Sequence, residues 1–186
     1  NIYLMINNSL VADLEIKDEI KKDVVNTMQE LKKMNINIHM FTGDTKEKAT
    51  EIAQQVGIDN INYSMLPSDK YTYLEEIIKK KTEKSIVSFV GDGINDAPVL
   101  KLSDLGISMG SLGTDSAIEA SDVVIMNDNL EKIVTAINIS KKTNKIIKEN
   151  LIFALGVKLL VLVLTLIGIS TMLEAVFADV GVTVLC

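Results

Sequence analysis

Apolar and polar positions along this chain change period repeatedly before the polar ones nearly vanish. Ile2 to Ile6 and Leu10 to Ile16 are short apolar-rich runs split by Asn7-Asn8-Ser9, a pattern that predicts a β-hairpin. Between Asp18 and Lys33, Ile20, Val24, Val25, Met28 and Leu31 recur at helical spacing among acids and lysines. That spacing predicts a helix with one buried face. Ile36 to Phe41 reads as a strand ending in Thr42-Gly43-Asp44, after which Lys46 to Val56 returns to the helical period and stops at Gly57. Asn60 to Met65 is a further short strand, and Leu66-Pro67-Ser68-Asp69-Lys70 opens a helix that Ser68 or Asp69 can cap.

Ile86, Val87, Phe89 and Val90 form a β-branched and aromatic run that predicts a buried parallel strand, with Gly91 and Gly93 letting the backbone turn sharply at its end. A helix from Asn95 to about Lys101, a strand over Leu105 to Ser108, a short helix from Thr114 to Ala120 and a strand over Val123 to Met126 follow. After Asn127-Asp128-Asn129, Leu130, Ile133 and Ile137 lead a long helix. Strand and helix alternate throughout, which predicts an α/β fold: an open, doubly wound, mostly parallel sheet covered on both faces. In such a sheet the ligand crevice lies at the carboxyl ends of the strands.

The final stretch is different in kind. From Leu151 to Cys186 the charged side chains are Lys158, Glu174 and Asp179 alone. Leu151 to Leu173 is long enough, at ~1.5 Å per residue, to cross a ~30 Å hydrocarbon layer, and a turn at Gly168 to Met172 makes the end a transmembrane hairpin. Lys141, Lys142, Lys145 and Lys148 place the entry side in the cytoplasm. Lys158 then lies roughly 15 Å below the outer end and Asp179 roughly 10 Å, so the two can meet across the hairpin. Ionised groups at that depth cost several kcal/mol unless paired, which makes both functional candidates. The plainer readings are a snorkelling lysine and a protonated, structural aspartate.

Charge and composition narrow the picture. A net charge of −6, no tryptophan and no basic stripe exclude a nucleic-acid partner. Cys186 is the one cysteine, so no internal disulfide forms, which suits a reducing compartment. His39, the one histidine, reads as a half-buried strand residue, and Lys79 to Lys81 with Lys84 as a solvated helix end.

The chemistry concentrates in Gly91-Asp92-Gly93-Ile94-Asn95-Asp96-Ala97-Pro98. Asp92 at a strand end and Asp96 four residues on can converge, with the Asn95 amide between them, and carboxylates that close repel unless a cation intervenes. An all-oxygen site with few protein ligands suits Mg2+ beside phosphate oxygens. Thr42 can donate its hydroxyl to a phosphoryl oxygen and Lys70 can bring an ammonium to the same charge. Taken singly, Asp-Gly is a hairpin turn, Thr-Gly-Asp a common loop and Lys70 a solvated lysine. Together they describe phosphoryl transfer.

The order of Thr42-Gly43-Asp44, Leu66 to Lys70, Gly91 to Pro98 and a membrane hairpin resembles P-type ATPases over essentially the whole chain. Their phosphorylation domain is haloacid dehalogenase-like. The resemblance implies that Thr42, Lys70 and Asn95 contact the phosphoryl group, that Asp92 and Asp96 hold or orient magnesium, that Gly43 and Asp44 belong to the same catalytic segment with Asp44 on the ATP-facing side, and that Asp18 lies at a hinge. Thr45 stands where many members have asparagine, and Lys21 where arginine is usual. The segment Asp-Lys-Thr-Gly-Thr, whose aspartate is phosphorylated in the family, does not occur here. The resemblance therefore implies a C-terminal part of a pump, inactive alone, that needs the upstream part of the same polypeptide, where ATP is mainly bound. Residues 1–16 would end the nucleotide-binding domain, 17–147 form the phosphorylation domain without its nucleophile, and 148–186 form two transmembrane helices, the second cut short.

Ala175 to Gly181 with Gly156-Val157-Lys158 resembles the zinc, cadmium and lead branch of heavy-metal P-type ATPases. There the residue matching Asp179 helps bind the divalent heavy-metal ion and the one matching Lys158 is a built-in counter-charge. The tyrosine-asparagine and methionine-serine patterns of copper pumps are absent at these positions. What the resemblance implies is a multi-pass protein of the cell membrane, its partners the lipid bilayer and Zn2+, Cd2+ or Pb2+. A membrane-tethered phosphatase, or a non-catalytic magnesium- and phosphate-binding module, are the rival readings.

Overall fold

The computed structural model describes residues 2–7, 9–14, 20–91, 95–110, 115–127, 129–168 and 181. Asp18, Asp92, Gly93 and Asp179 thus lie outside the described residues, as does the stretch where a returning membrane helix is expected, apart from Gly181. The chain divides into two units, Asn1–Val134 and Thr135–Cys186.

The first unit opens with strands β1 (Ile2–Ile6) and β2 (Ser9–Leu14), paired antiparallel with a register shift between Leu4 and Met5. The predicted hairpin is present, turning through Asn7 at a φ of 49°. Helix α1 (Lys22–Lys33) starts later than its apolar pattern suggests. Ile20 precedes it, and Lys21 is extended while its carbonyl accepts the Val24 N–H, so the helix begins only after Lys21.

Strand β3 (His39–Phe41) pairs parallel with β4 (Asn60–Asn62), and helix α2 (Lys46–Val56) joins them. Ala49, Ala53 and Val56 form the buried stripe of α2, and Gly57 ends it at a φ of 76° while Ile58 N–H reaches back to Ala53 O. That is the left-handed stop that glycine makes inexpensive. Both strands are shorter than their apolar runs. Ser64 at a φ of 53° breaks β4, and a parallel partner of three residues gives Ile36 to Ile38 no ladder to join.

Helix α3 (Pro67–Lys80) follows, and neither Ser68 nor Asp69 is its cap. Leu66 is the cap residue, Pro67 supplies the first helical position, and the Asp69 carboxylate, inside the first turn, accepts the Leu66 N–H at 2.9 Å. Proline there needs no donor of its own, so the start lies two residues earlier than a Ser68 cap, and three earlier than an Asp69 cap, would place it.

Strands β5 (Ser88–Gly91), β6 (Leu105–Met109) and β7 (Val123–Ile125) form a second parallel sheet, connected by α4 (Ala97–Leu102) and α5 (Asp115–Ala120). The parallel α/β architecture is as expected, but hydrogen bonding divides it into β3–β4 and β5–β6–β7. The pieces share a core: Leu74, Phe89, Val99 and Leu100 pack with Phe41, and the Phe41 ring centre is 6.2 Å from that of Phe89 and 5.4 Å, edge-on, from Tyr73. Ile86, read as part of a buried strand, is 76% exposed because it precedes the ladder. At Gly106 an added methyl group would lie 2.7 Å from Leu100 O, so glycine is what lets α4 sit against β6.

Helix α6 (Glu131–Leu166) begins where Asn129 Oδ1 accepts the Glu131 N–H at 2.8 Å. It runs uninterrupted past residue 148, and its apolar length suffices to cross a membrane. In the second unit Lys158 is exposed on this helix, and Gly168, at a φ of 79°, stands at the predicted turn.

Candidate functional site

The site is assembled from the carboxyl ends of β3 and β5 and the amino ends of α3 and α4. Thr42 follows β3 directly. Its N–H donates to Asn62 O at 2.9 Å and its carbonyl accepts from Met65 N–H at 3.0 Å, tying the loop to the approach of α3. Its hydroxyl donates to Asp44 Oδ2 at 3.0 Å and accepts the Asp44 N–H at 3.1 Å. Asp44 also faces Lys48 at 3.5 Å. Thr42, Gly43 and Asp44 thus form one closed turn, and an added methyl group at Gly43 would meet only Met65 O, at 3.4 Å.

Lys70 lies in the first turn of α3, where its own N–H is bonded to Leu66 O at 3.1 Å. Its side chain crosses to α4: Nζ stands 2.9 Å from Asp96 Oδ1, with side-chain exposures of 18% and 10%. Asp96 occupies the cap position of α4 yet makes no side-chain cap bond, so its carboxylate is left for Lys70. On the other side, a methyl group added at Gly91 would lie 3.0 Å from Asp96 Oδ2. Gly91 has no left-handed φ, so its contribution is room for Asp96 beside the strand end rather than the sharp turn expected of it. Asn95, next to Asp96, is exposed.

Thr42 with Asp44, and Lys70 with Asp96, are therefore each brought together, while Asp92 and Asp179 fall outside the described residues. Asp96 carries the Lys70 ammonium, while its expected convergence with Asp92 on a cation lies outside the described residues. Among the described residues no group of three or more histidine, cysteine or carboxylate side chains stands where it could hold a metal ion.

A second polar junction escaped the sequence reading. Lys81, expected on a solvated helix end, pairs with Asp104, whose Oδ2 also accepts the Val87 N–H at 2.8 Å. The Lys81 hydrogen bond, then the Val87 N–H, hold the Asp104 carboxyl below its ordinary value. Lys79 and Lys80 do remain exposed, paired with Glu75 and Glu76. An aspartate just before a strand was the available signal for this clamp.

Comparison identifies this α/β fold: residues 3–104 match the haloacid dehalogenase-like hydrolases, and the chain belongs to that family. Its relatives include the cadmium, zinc and cobalt-transporting ATPase of Bacillus subtilis and the zinc-transporting ATPase of Synechocystis, each 43% identical over 99% of this chain. The chain spans about a quarter of their length, 26% in each case. Among solved structures, a zinc-transporting PIB-type ATPase in an E2·Pi state superimposes with a TM-score of 0.81 at 34% identity, covering 91% of this chain and 27% of that one.

Proposed function

We propose that this chain is the C-terminal part of an ATP-driven heavy-metal efflux pump that exports zinc, cadmium or lead, coupling formation and hydrolysis of an aspartyl phosphate to ion transport. Residues 1–16 end the nucleotide-binding domain, 17–147 form the phosphorylation domain and 148–186 form two membrane helices. The observation that carries this reading is the extent of the likeness to zinc- and cadmium-transporting ATPases, 99% of the chain, the polar corner and the apolar helix alike.

In this reading the phosphorylation domain is cytoplasmic and the pump a multi-pass protein of the cell membrane. Asp92 and Asp96 hold magnesium, which when bound offsets phosphoryl charge. Thr42 and Asn95 orient phosphoryl oxygens by hydrogen bonding, and Lys70 supplies a positive charge there. Asp44 faces the nucleotide, bound mainly by upstream residues. The nucleophile also lies upstream. Among the described residues β3 and β5 each pair on one side only, so a parallel strand added between them would deliver a residue between Thr42 and the Gly91 end of β5. Asp179 binds the transported ion and Lys158 balances that carboxylate after release, which supports both at their depth in the membrane.

The test is phosphorylation of the intact polypeptide by radiolabelled ATP in native membranes. We expect label that hydroxylamine removes, as it does from an acyl phosphate, responding to zinc or cadmium. A label indifferent to those ions but responsive to monovalent copper would overturn the choice of metal, and no label under any metal would overturn the pump.

A further inference from the structure

We infer that Lys141, Lys142, Lys145 and Lys148 of α6 form a docking surface for the headgroups of anionic phospholipids, held where the helix turns apolar. The inference rests on the reading of α6 as a membrane span.

The four lysines fall within a short stretch of the second unit, and no acidic residue stands between Glu131 and Glu149. All four are exposed. Lys145 faces Glu149 at 3.7 Å with side-chain exposures of 76% and 62%, and a pair so open to water neutralises little of its charge. Lys141, Lys142 and Lys148 have no ion pair among the described residues. The helix is unbroken here, so spacing fixes the placement. Lys141, Lys145 and Lys148, four and three residues apart, share about 60° of the circumference at 3.6 residues per turn, with Lys142 about 100° from Lys141.

Leu151 opens the apolar stretch. At ~1.5 Å per residue Lys148 stands about 4.5 Å and Lys145 about 9 Å before it, with Lys142 and Lys141 at about 14 and 15 Å. A headgroup layer is about 5–8 Å deep on each side of the hydrocarbon. Lys148 is therefore inside it, and Lys145 reaches into it along its own stem. Lys141 and Lys142 stay within about one Debye length, ~8 Å, of its outer edge. Ile152, Phe153 and Leu155 are exposed on the apolar stretch that follows, so a lipid whose headgroup meets the lysines can lay its acyl chains along them.

Charge decides which lipid is held. A zwitterionic headgroup offers the lysines no net charge, whereas an anionic one does, and lysines this near the surface attract it within the screening length. The chain as a whole carries −6 with these lysines included, so an anionic membrane repels it at long range. Salt removes that distant repulsion and leaves the near contact. Lysine suits such a partner, because a compact ammonium on a flexible stem can follow a mobile headgroup. Lysines that served only to orient the span during insertion would show no preference among lipids afterwards.

The test reconstitutes the full chain in phosphatidylcholine vesicles carrying a trace of spin-labelled lipid, and electron paramagnetic resonance measures how much label the protein holds motionally restricted. Spin-labelled phosphatidylglycerol should be preferred over spin-labelled phosphatidylcholine about fivefold at low salt, falling towards equality in concentrated salt. Replacing all four lysines together, Lys141→Gln, Lys142→Gln, Lys145→Gln and Lys148→Gln, should remove the preference, and the four Lys→Arg changes should keep it. Among single changes, Lys148→Gln should weaken it more than Lys141→Gln. Equal restriction of the two lipids by wild type, or a preference that survives the four Lys→Gln changes, overturns the docking surface. No restricted component with either lipid defeats instead the reading of α6 as a span.

Discussion

Lys70 and Asp96, 26 residues apart in sequence, form a largely buried ion pair at 2.9 Å that joins the first turn of α3 to the cap of α4. Removing either partner strands the other charge out of water, so Lys70→Ala and Asp96→Ala should each destabilise the fold by about 1–3 kcal/mol. The double variant should cost clearly less than the sum, because no charge is left unpaired. Denaturant unfolding of all four proteins, followed by tyrosine circular dichroism, measures this. Strict additivity would show that the pair contributes nothing as a pair.

Two glycines should respond in opposite ways to the same substitution. In Gly106→Ala the new methyl group would meet Leu100 O at 2.7 Å, a backbone atom that cannot rotate away, and overpacking of that kind costs about 1–3 kcal/mol. Gly43→Ala meets only Met65 O, at an ordinary 3.4 Å, and should change stability by less than about 0.5 kcal/mol. Thermal melts of the two variants side by side decide it, and a Gly43→Ala protein as unstable as Gly106→Ala would contradict the packing described.

Asp104 gives the fold a defined response to acid. Its carboxyl is held below the ordinary value by Lys81 and the Val87 N–H, so the folded state binds this proton less readily than the unfolded chain. The resulting stabilisation is complete above the unfolded value, near 3.8, and is lost as pH falls through the lower, folded one. Asp104→Asn should therefore melt below wild type at pH 7, with the gap closing only below about pH 4. A gap that closes between pH 5 and 7 would point to some other group.

How much of this could be read in the sequence depended on whether the signal was local. Helix α2 lies over Lys46–Val56 as expected, since the Ala49, Ala53 and Val56 stripe and the Gly57 stop are both written within a few turns. Ile86 was misread because a short apolar run looks the same whether or not a ladder reaches it. The ladder closes at Val87, whose N–H donates to the Asp104 carboxylate and whose carbonyl accepts from the Asp104 and Leu105 N–H groups, leaving Ile86 outside. Asp96 stood out in the Gly91 to Pro98 segment and Lys70 at a helix start, while Asp92 lies outside the described residues. That Lys70 sits on Asp96 was not legible, because it depends on how α3 packs against α4. Nor did the local glycine rule reveal that Gly91 makes space for the Asp96 carboxylate.

The central proposal is that the Lys70–Asp96 corner and the expected Lys158–Asp179 pair serve one transport cycle, and zinc-stimulated ATP hydrolysis by the reconstituted intact polypeptide tests it most directly. Asp179→Ala should abolish zinc and cadmium stimulation while the same preparation still accepts label from inorganic phosphate with magnesium, a step that needs no transported ion. Full zinc stimulation in Asp179→Ala would contradict the account.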